Sequence, residues 1–331
     1  MGLVEDFPRD PFTPSLRYAA TCQTPITLPW GREFISLGTS LSVSREDGVK
    51  SKFLDKSLSA FSQTSLQRSR LVLESASGGD TSTAESTGVA SSREHLDCSI
   101  TGQIGGSFIG AKGRANYETS AANDASDVKF SFRTTYRGGM VRFLQEPAFS
   151  DEAVDLLRSS NDGRAAQQAF RDKYGEYYVA AYILGGSNAT LMGGMAASAA
   201  SSRDLTGSFT VTAFWVSKTK TFEEHERNAT ATAAATMAGY DSLQGCDEKQ
   251  EAKDPTSYSN LMQFAGDNKG RGWRLAGRVE AKTAEMGLGA GGRSCISWGK
   301  CDEICREGLV VELLLLPYSG LRQYVEAFLG V

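Results

Sequence analysis

Val128, Phe130, Phe132, Thr134 and Tyr136 alternate with Lys129, Ser131, Arg133, Thr135 and Arg137, the period of a strand with one buried face. A longer alternation places Leu96, Cys98, Ile100, Gly102, Ile104, Gly106 and Phe108 on one side of an extended chain and Asp97, Ser99, Thr101, Gln103, Gly105 and Ser107 on the other. In a third, Phe209, Val211, Ala213 and Trp215 oppose Ser208, Thr210 and Thr212, with Phe214 and Val216 interrupting the polar side. Beyond the charged stretch Lys218 to Asn228, Ala231, Ala233, Ala235 and Met237 oppose Thr230, Thr232, Ala234 and Thr236. Two alternating arms around a polar tip make a candidate hairpin. Tyr177 to Leu184 is apolar on both faces and predicts a buried strand. It runs into Gly185-Gly186, where a sheet can curve without side-chain resistance, and resumes at Ala189 to Met192.

The remaining pattern predicts a strand within Phe34 to Val43, closed by Asp47-Gly48, and another from Ser65 to Leu73. Ser75 to Ser92 is almost entirely Ser, Thr, Gly, Ala or acidic, a composition that taken alone suggests a linker. Ser150, followed by Asp151 and Glu152, predicts the start of a helix to Arg158, and a second helix is expected over Arg164 to Lys173. A fourth strand is expected at Tyr258 to Phe264. Leu309 to Leu316 is a buried strand or short helix stopped by Pro317. Ser319 opens a final helix with Leu321, Tyr324, Val325, Phe328 and Leu329 as its apolar stripe.

The chain has 331 residues, enough for one large domain or two ordinary ones, with 35 Lys and Arg against 39 Asp and Glu. No basic run invites nucleic acid. The longest apolar run, Leu309 to Leu316, is far short of a spanning helix of roughly 20 residues. Met1 to Phe12 has no positive start followed by an apolar stretch, so no secretory signal is expected, and Asp6 stands where N-myristoylation needs Ser or Thr. Of the six cysteines, Cys295, Cys301 and Cys305 cluster with gaps that fit no common zinc spacing; buried thiols or one disulfide are the open readings. The sequons at Asn188 and Asn228 have meaning only on a secretory route. An enzyme would need a positioned acid, base or nucleophile. His95 lacks an accompanying Ser or Cys motif, His225 lies in the charged tip, and Gly287 to Gly292 lacks the Lys-Ser/Thr ending of a phosphate loop and is expected to be a turn. No catalytic residue, metal or cofactor is expected.

Tyr174-Gly175-Glu176-Tyr177-Tyr178, six further residues and Gly185-Gly186 resemble the signature of the membrane attack complex/perforin (MACPF) family of the MACPF/cholesterol-dependent cytolysin superfamily. That signature is Tyr or Trp, Gly, Thr or Ser, His, an aromatic, six residues and Gly-Gly, so Glu176 and Tyr177 depart from it. Ala265-Gly266-Asp267 with Trp273 resembles the Gly-Gly-Asp and Trp element that follows the family's fourth strand. The resemblance implies an α+β fold in one domain spanning 1–331: a bent, twisted four-stranded antiparallel central sheet flanked by two helical clusters. The clusters would fall at about 75–127 and 200–255, and a closing strand and helix at 306–331.

Functionally, the resemblance implies a soluble monomer that is released or secreted and assembles on a target membrane into a ring or arc. Both clusters would unfurl there into amphipathic β-hairpins of a shared barrel, in which every strand must be paired because unpaired backbone in hydrocarbon costs several kcal/mol per group. Leu96, Ile100, Ile104 and Phe108 would face lipid from the first hairpin; Phe209, Val211, Ala213, Trp215, Ala231, Ala233, Ala235 and Met237 would do so from the second. Tyr174, Gly175 and Tyr178 would fix the start of the signature strand, with Gly185 and Gly186 as the hinge of the sheet. The partners implied are the lipid membrane and further copies of the chain, with target recognition left open between a separate membrane-recognition protein and the N- or C-terminal segments. Two alternatives stay open: a non-lytic binding or assembly protein of the same fold, and insertions that are simply surface helices or extra strands of a soluble sheet. Thr221-Phe222-Glu223-Glu224 fits a helix capping box, and the alanine-rich run beyond Arg227 has high helix propensity.

Overall fold

The computed structural model describes residues 22–42, 52–53, 57–87, 127–159, 163–196, 233–244, 248–252, 255–289 and 292–329. In chain order its elements are β1 (Ile26–Pro29), β2 (Ser40–Ser42), β3 (Lys52–Phe53), α1 (Gln63–Arg68), β4 (Leu71–Thr87), β5 (Asp127–Phe143), α2 (Asp151–Arg158), α3 (Gly163–Tyr174), β6 (Tyr177–Ala196), β7 (Ala233–Asp241), β8 (Glu248–Ala252), α4 (Pro255–Trp273), α5 (Leu275–Glu285), β9 (Gly292–Ile296), α6 (Trp298–Arg306), β10 (Val310–Pro317) and α7 (Arg322–Leu329). The described strands form one sheet of ten, every pairing antiparallel. Its frame is three long strands, β4 and β5 of 17 residues and β6 of 20, where strands of 3–10 are usual.

Two apolar clusters hold this frame. In one, Ala153 and Leu157 of α2 and Phe170 and Tyr174 of α3 meet Tyr178 of β6 and Tyr324 and Ala327 of α7. Phe61, Phe149, Phe170, Tyr178 and Tyr318 form its aromatic centre, with ring centroids 5.1 to 5.9 Å apart, within the range where tilted and edge-on rings attract. Ser150 caps α2 by accepting from the Ala153 N–H, and α3 presents Ala166, Phe170 and Tyr174 at four-residue spacing. The other cluster packs β1, β10 and the Val179, Tyr182 and Leu184 positions of β6 against α5 and α6, burying Leu275, Val279, Cys301, Ile304 and Cys305.

The α+β class and the antiparallel sheet match the expectation; the strand number does not, because short strands extend and cap the long ones. Ser65 to Leu73 is no single strand: α1, capped by Ser62, occupies its first part, and β4 starts at Leu71. Residues 75–87 are no linker but strand, with Asp80 to Thr87 in register with Arg137 to Phe130; the ladder offered by β5 overrides composition. Phe34 to Val43 supplies only the three residues of β2. Tyr258 to Phe264 lies inside helix α4, which Pro255 begins at a position where its missing N–H costs nothing. Ala265-Gly266-Asp267 and Trp273 therefore sit on that helix and follow no strand directly. The long fourth neighbour is β7, so alanines 233–235 take strand, not helix, along the edge of β6. Val310 to Leu316 resolves as strand, and in α7 Val325 and Leu329 are exposed, 44% and 65%, while Tyr324 and Ala327, with Leu321 just before the helix, are buried. Of the two insertions, residues 75–87, 233–241 and 248–252 are strand. Leu96, Ile100, Ile104, Phe108, Phe209, Val211, Ala213, Trp215, Ala231, His95 and His225 lie outside the described residues.

Cys22, Cys295, Cys301 and Cys305 are free. Cys301 and Cys305 are fully buried, and burial pushes both thiols up to about 12. A raised thiol stays protonated at pH 8 and reacts slowly. Alkylation of the native protein at that pH, read by peptide mass spectrometry, is expected to modify Cys22 and Cys295 and to reach Cys301 and Cys305 only in denaturant. Equal labelling of all four would contradict the packing of α6.

Candidate functional site

One edge of β6 is covered by β5, from Arg142↔Ala181 to Asp127↔Met195. The other edge changes partner: β10 pairs with Tyr177 to Leu184, and β7 with Asn188 to Ala196. Gly185 and Gly186 occupy the fork. The Gly185 N–H donates to Leu309 O at 2.8 Å, and Ser242, just past β7, donates its N–H to Ser187 O at 2.8 Å. Register slips align here across the sheet, between Ser75 and Asp80 in β4 and between Arg137 and Gly139 in β5. Bulges favour bending and stronger twist in their strands, and the aligned slips put that local irregularity of β4, β5 and β6 on one line.

Glycine is required along this line for lack of room. A Cβ on Gly185 would lie 1.8 Å from Tyr136 O; one on Gly186 would meet Val279 Cγ2 at 2.7 Å and Leu275 Cδ1 at 2.8 Å. Helix α5 thus lies directly on the second glycine. The Tyr136 ring fills the space over Gly79 and Gly138, and its hydroxyl donates to Glu280 Oε1 at 3.3 Å. Gly308 has φ +72, and its Cβ would fall 1.8 Å from Ser242 O, so the turn into β10 abuts the turn out of β7. The N–H groups of Gly308 and Leu309 bond Cys305 O and Ile304 O, the pattern that ends a helix on a left-handed glycine.

The signature residues set the start of β6. Tyr174 ends α3, and Gly175, at φ +73, approaches β2 so closely that a Cβ would be 2.4 Å from Leu41 O. Tyr177 is buried and its hydroxyl donates to Thr24 O at 3.0 Å; burial pushes that hydroxyl up to about 12. Tyr178 enters the aromatic centre 5.1 Å from both Phe61 and Tyr318. Glu176, the departure from the signature, is buried, and its backbone bridges Leu41 O and the Tyr318 N–H.

An ion pair with a buried carboxylate and a half-buried arginine stands on each face of the sheet. Arg137 of β5 reaches past Gly185 to Glu312 of β10, with Nε donating to Oε2 at 2.7 Å and Nη2 bonding Oε1. On the α5 side, Arg278 donates to Asp241 Oδ2 at 2.6 Å and Oδ1 at 2.9 Å. Asn188 Nδ2 adds bonds to Asp241 Oδ2 and to Asn268 Oδ1 of α4; Asn268 in turn donates to Ala189 O and to Thr190 Oγ1. Sequence reasoning missed Asp241, Arg278, Asn268 and Gly308. Asn188, noticed only as a sequon, is 1% exposed, so its amide is closed to glycosylation in this fold. A polar residue inside an otherwise apolar strand was the available signal.

Gly185, Gly186, Tyr174, Gly175 and Tyr178 are thus brought to one strand and its lead-in. The backbone of Ala233, Ala235 and Met237 lies in β7 opposite Ala196, Gly194 and Met192. Among the described residues no group of three or more His, Cys, Asp and Glu could hold a metal ion, and no helix is long and apolar enough to cross a membrane.

No protein-family profile and no curated protein matches the chain. Solved structures do. The chain is similar to MAC/perforin-domain and cytolysin structures. A putative cell invasion protein with a MAC/perforin domain from Bacteroides thetaiotaomicron shares 13% identity over 73% of this chain and 62% of its own, with a TM-score of 0.30. Pneumolysin shares 9% over 88% and 59%, at 0.38, and suilysin from Streptococcus suis 9% over 73% and 57%, at 0.34. The chain spans less than two thirds of the length of each. At these values the functional reading rests on the chain's own residues and geometry.

The close approach at Gly185 and the open surroundings of Gly266 in α4 predict opposite effects of alanine. Gly185→Ala is expected to lower stability by on the order of 3 kcal/mol, and Gly266→Ala to raise it by about 0.5–1 kcal/mol, read from denaturant midpoints. A Gly185→Ala protein as stable as the wild type would contradict the fork.

Proposed function

We propose that the chain is a pore-forming protein of the MACPF kind, released as a soluble monomer, that oligomerises on a target membrane and places two amphipathic β-hairpins per subunit in a shared barrel. The observation that carries this reading is topological. Residues 88–126 connect β4 to β5, and residues 197–232 connect β6 to β7. Both connections leave the same end of the sheet, where Thr87 pairs with Phe130 and Ala196 with Ala233. Each insertion therefore joins two strands that are already antiparallel neighbours. Extending both ladders in register would turn each insertion into a hairpin without rethreading the chain. Each insertion is long enough for two arms of about 10 residues, the length of a tilted membrane strand. The alternations at Leu96 to Phe108 and at Phe209 to Trp215 give such arms a lipid face and a lumen face. Joining of copies would use the outer edges of the long strands: β9 covers β4 only over Leu71 to Ser75, and the five residues of β8 cover β7. No catalytic step is part of this reading, and the partners are lipid, further copies of the chain and a separate recognition protein.

A second reading, a non-lytic assembly protein, is favoured by the charged tip. Lys218, Lys220, Glu223, Glu224, Glu226 and Arg227 would have to cross the bilayer with the second hairpin, which only concerted assembly could offset.

Dye release from liposomes separates the two. Leakage is expected, and a disulfide joining β7 to β8 through cysteines at the paired positions Met237 and Gln250 is expected to block it until reduced. Absence of leakage across varied lipid compositions would favour the non-lytic reading, and leakage unaffected by the oxidised bridge would contradict assembly through the β7 edge.

A further inference from the structure

We propose that Asp241, Arg278, Asn188 and Asn268 form a latch that fixes β7 to the α4–α5 helix pair, and that this latch lets β7 come away while β10 stays in place. In its consequence for membranes the proposal rests on the pore-forming reading; the latch itself is a property of the protein in water.

Asp241 is the last residue of β7 and its side chain is 2% exposed. Its two oxygens accept from both terminal nitrogens of Arg278, from Asn188 Nδ2 and from the Leu243 N–H. Arg278 precedes Val279, whose methyl sits over Gly186, so the guanidinium that grips β7 is carried on the helix that presses on the glycine fork. Asn268 extends the same network to α4 and to the Ala189 carbonyl of β6. Two strands and two helices are thus joined by four side chains that have little access to water.

A buried polar network of this kind behaves as a unit. Its members are compensated only while all the partners are present, and losing one strands a charge or an amide in a low-dielectric interior. Around the Asp241 carboxylate the network is complete, since both oxygens accept from two donors each. The pair on the other face, Arg137 with Glu312, shares no residue with it and serves β10. The outer edge of β6 is therefore secured in two independent parts, one on each side of the glycine fork. Release of the part holding β7, the strand into which the second insertion runs, leaves β10 and the aromatic cluster untouched.

The test is hydrogen exchange of the full chain in solution without lipid, read by segment, on Asp241→Asn, Arg278→Met and Arg278→Lys proteins. Amides of β7 are expected to exchange about tenfold faster or more in the first two and less so in the third, with β10, α2 and α3 unchanged. Arg137→Met is expected to do the reverse, loosening β10 and sparing β7. Unchanged protection of β7 in both Asp241→Asn and Arg278→Met would overturn the latch. So would uniform acceleration of β7, β10 and the helices in all three variants, which would make the pair a general stability element. Dye release on the same proteins is a separate readout, expected to start at lower protein concentration in the first two. Faster β7 exchange with no leakage from any protein would support the latch and sink the pore-forming reading. Leakage with flat exchange would do the opposite.

Discussion

The architecture depends on a backbone contact that only glycine permits. At Gly185 and Gly186, β6 passes from one neighbour to another, with the Tyr136 carbonyl against one residue and α5 against the next. At Gly185 the carbonyl leaves no space for a methyl group, and at Gly186 the Val279 and Leu275 side chains would have to shift to admit one. The slips in β4 and β5 fall at the same level, so the regular ladder is interrupted along one line and the sheet divides there into two panels. The upper panel, which holds Tyr177 to Leu184, is anchored by two apolar clusters, one of them including Leu275 and Val279 of α5. The lower panel, which holds Asn188 to Ala196, meets α4 through Asn268 and leads into both insertions.

This division assigns different kinds of interaction to the two parts. Burial of large apolar and aromatic side chains is non-directional and tolerant, and it holds the upper panel. Across the fork the contacts are charged and geometrically specific, Arg137 with Glu312 on one face and Arg278 with Asp241 on the other. Such pairs add little net stability relative to a well-packed apolar core, yet breaking one is costly. They suit positions where one arrangement must be held firmly and then exchanged for another. The proposed conversion from a water-stable form to part of a membrane wall would need that combination: a body that does not move and a sheet edge that leaves as a unit.

Much of this was legible in the chain. The alternation of Val128 to Tyr136 gave β5, Ser150 gave the start of α2, and Tyr174 and Gly175 gave the helix-to-strand lead-in, whereas Gly185-Gly186 reads only as a hinge and gives no sign of the change of partner there. Ser75 to Thr87 misled because its small polar residues resemble a linker, whereas what makes it a strand is the ladder of β5, more than 40 residues away in sequence. Tyr258, Leu261, Met262 and Ala265 carry a helical period that the surrounding glycines at 266, 270 and 272 obscured. Of the Asp241–Arg278 network only Asn188, a polar residue within an apolar strand, left a signal in the sequence. The other members are unremarkable charged and amide residues in sequence, and they become a site only when β6, β7, α4 and α5 are brought together.

The central claim is that the second insertion becomes a two-faced strand in lipid. Single cysteines at residues 209 to 213, each labelled with an environment-sensitive fluorophore, test it most directly when the protein is mixed with liposomes. The account predicts an alternation: labels at Phe209, Val211 and Ala213 move into an apolar environment, while those at Thr210 and Thr212 remain in water. A uniform response along the segment, or none at any position on membranes where the protein has bound, would contradict it.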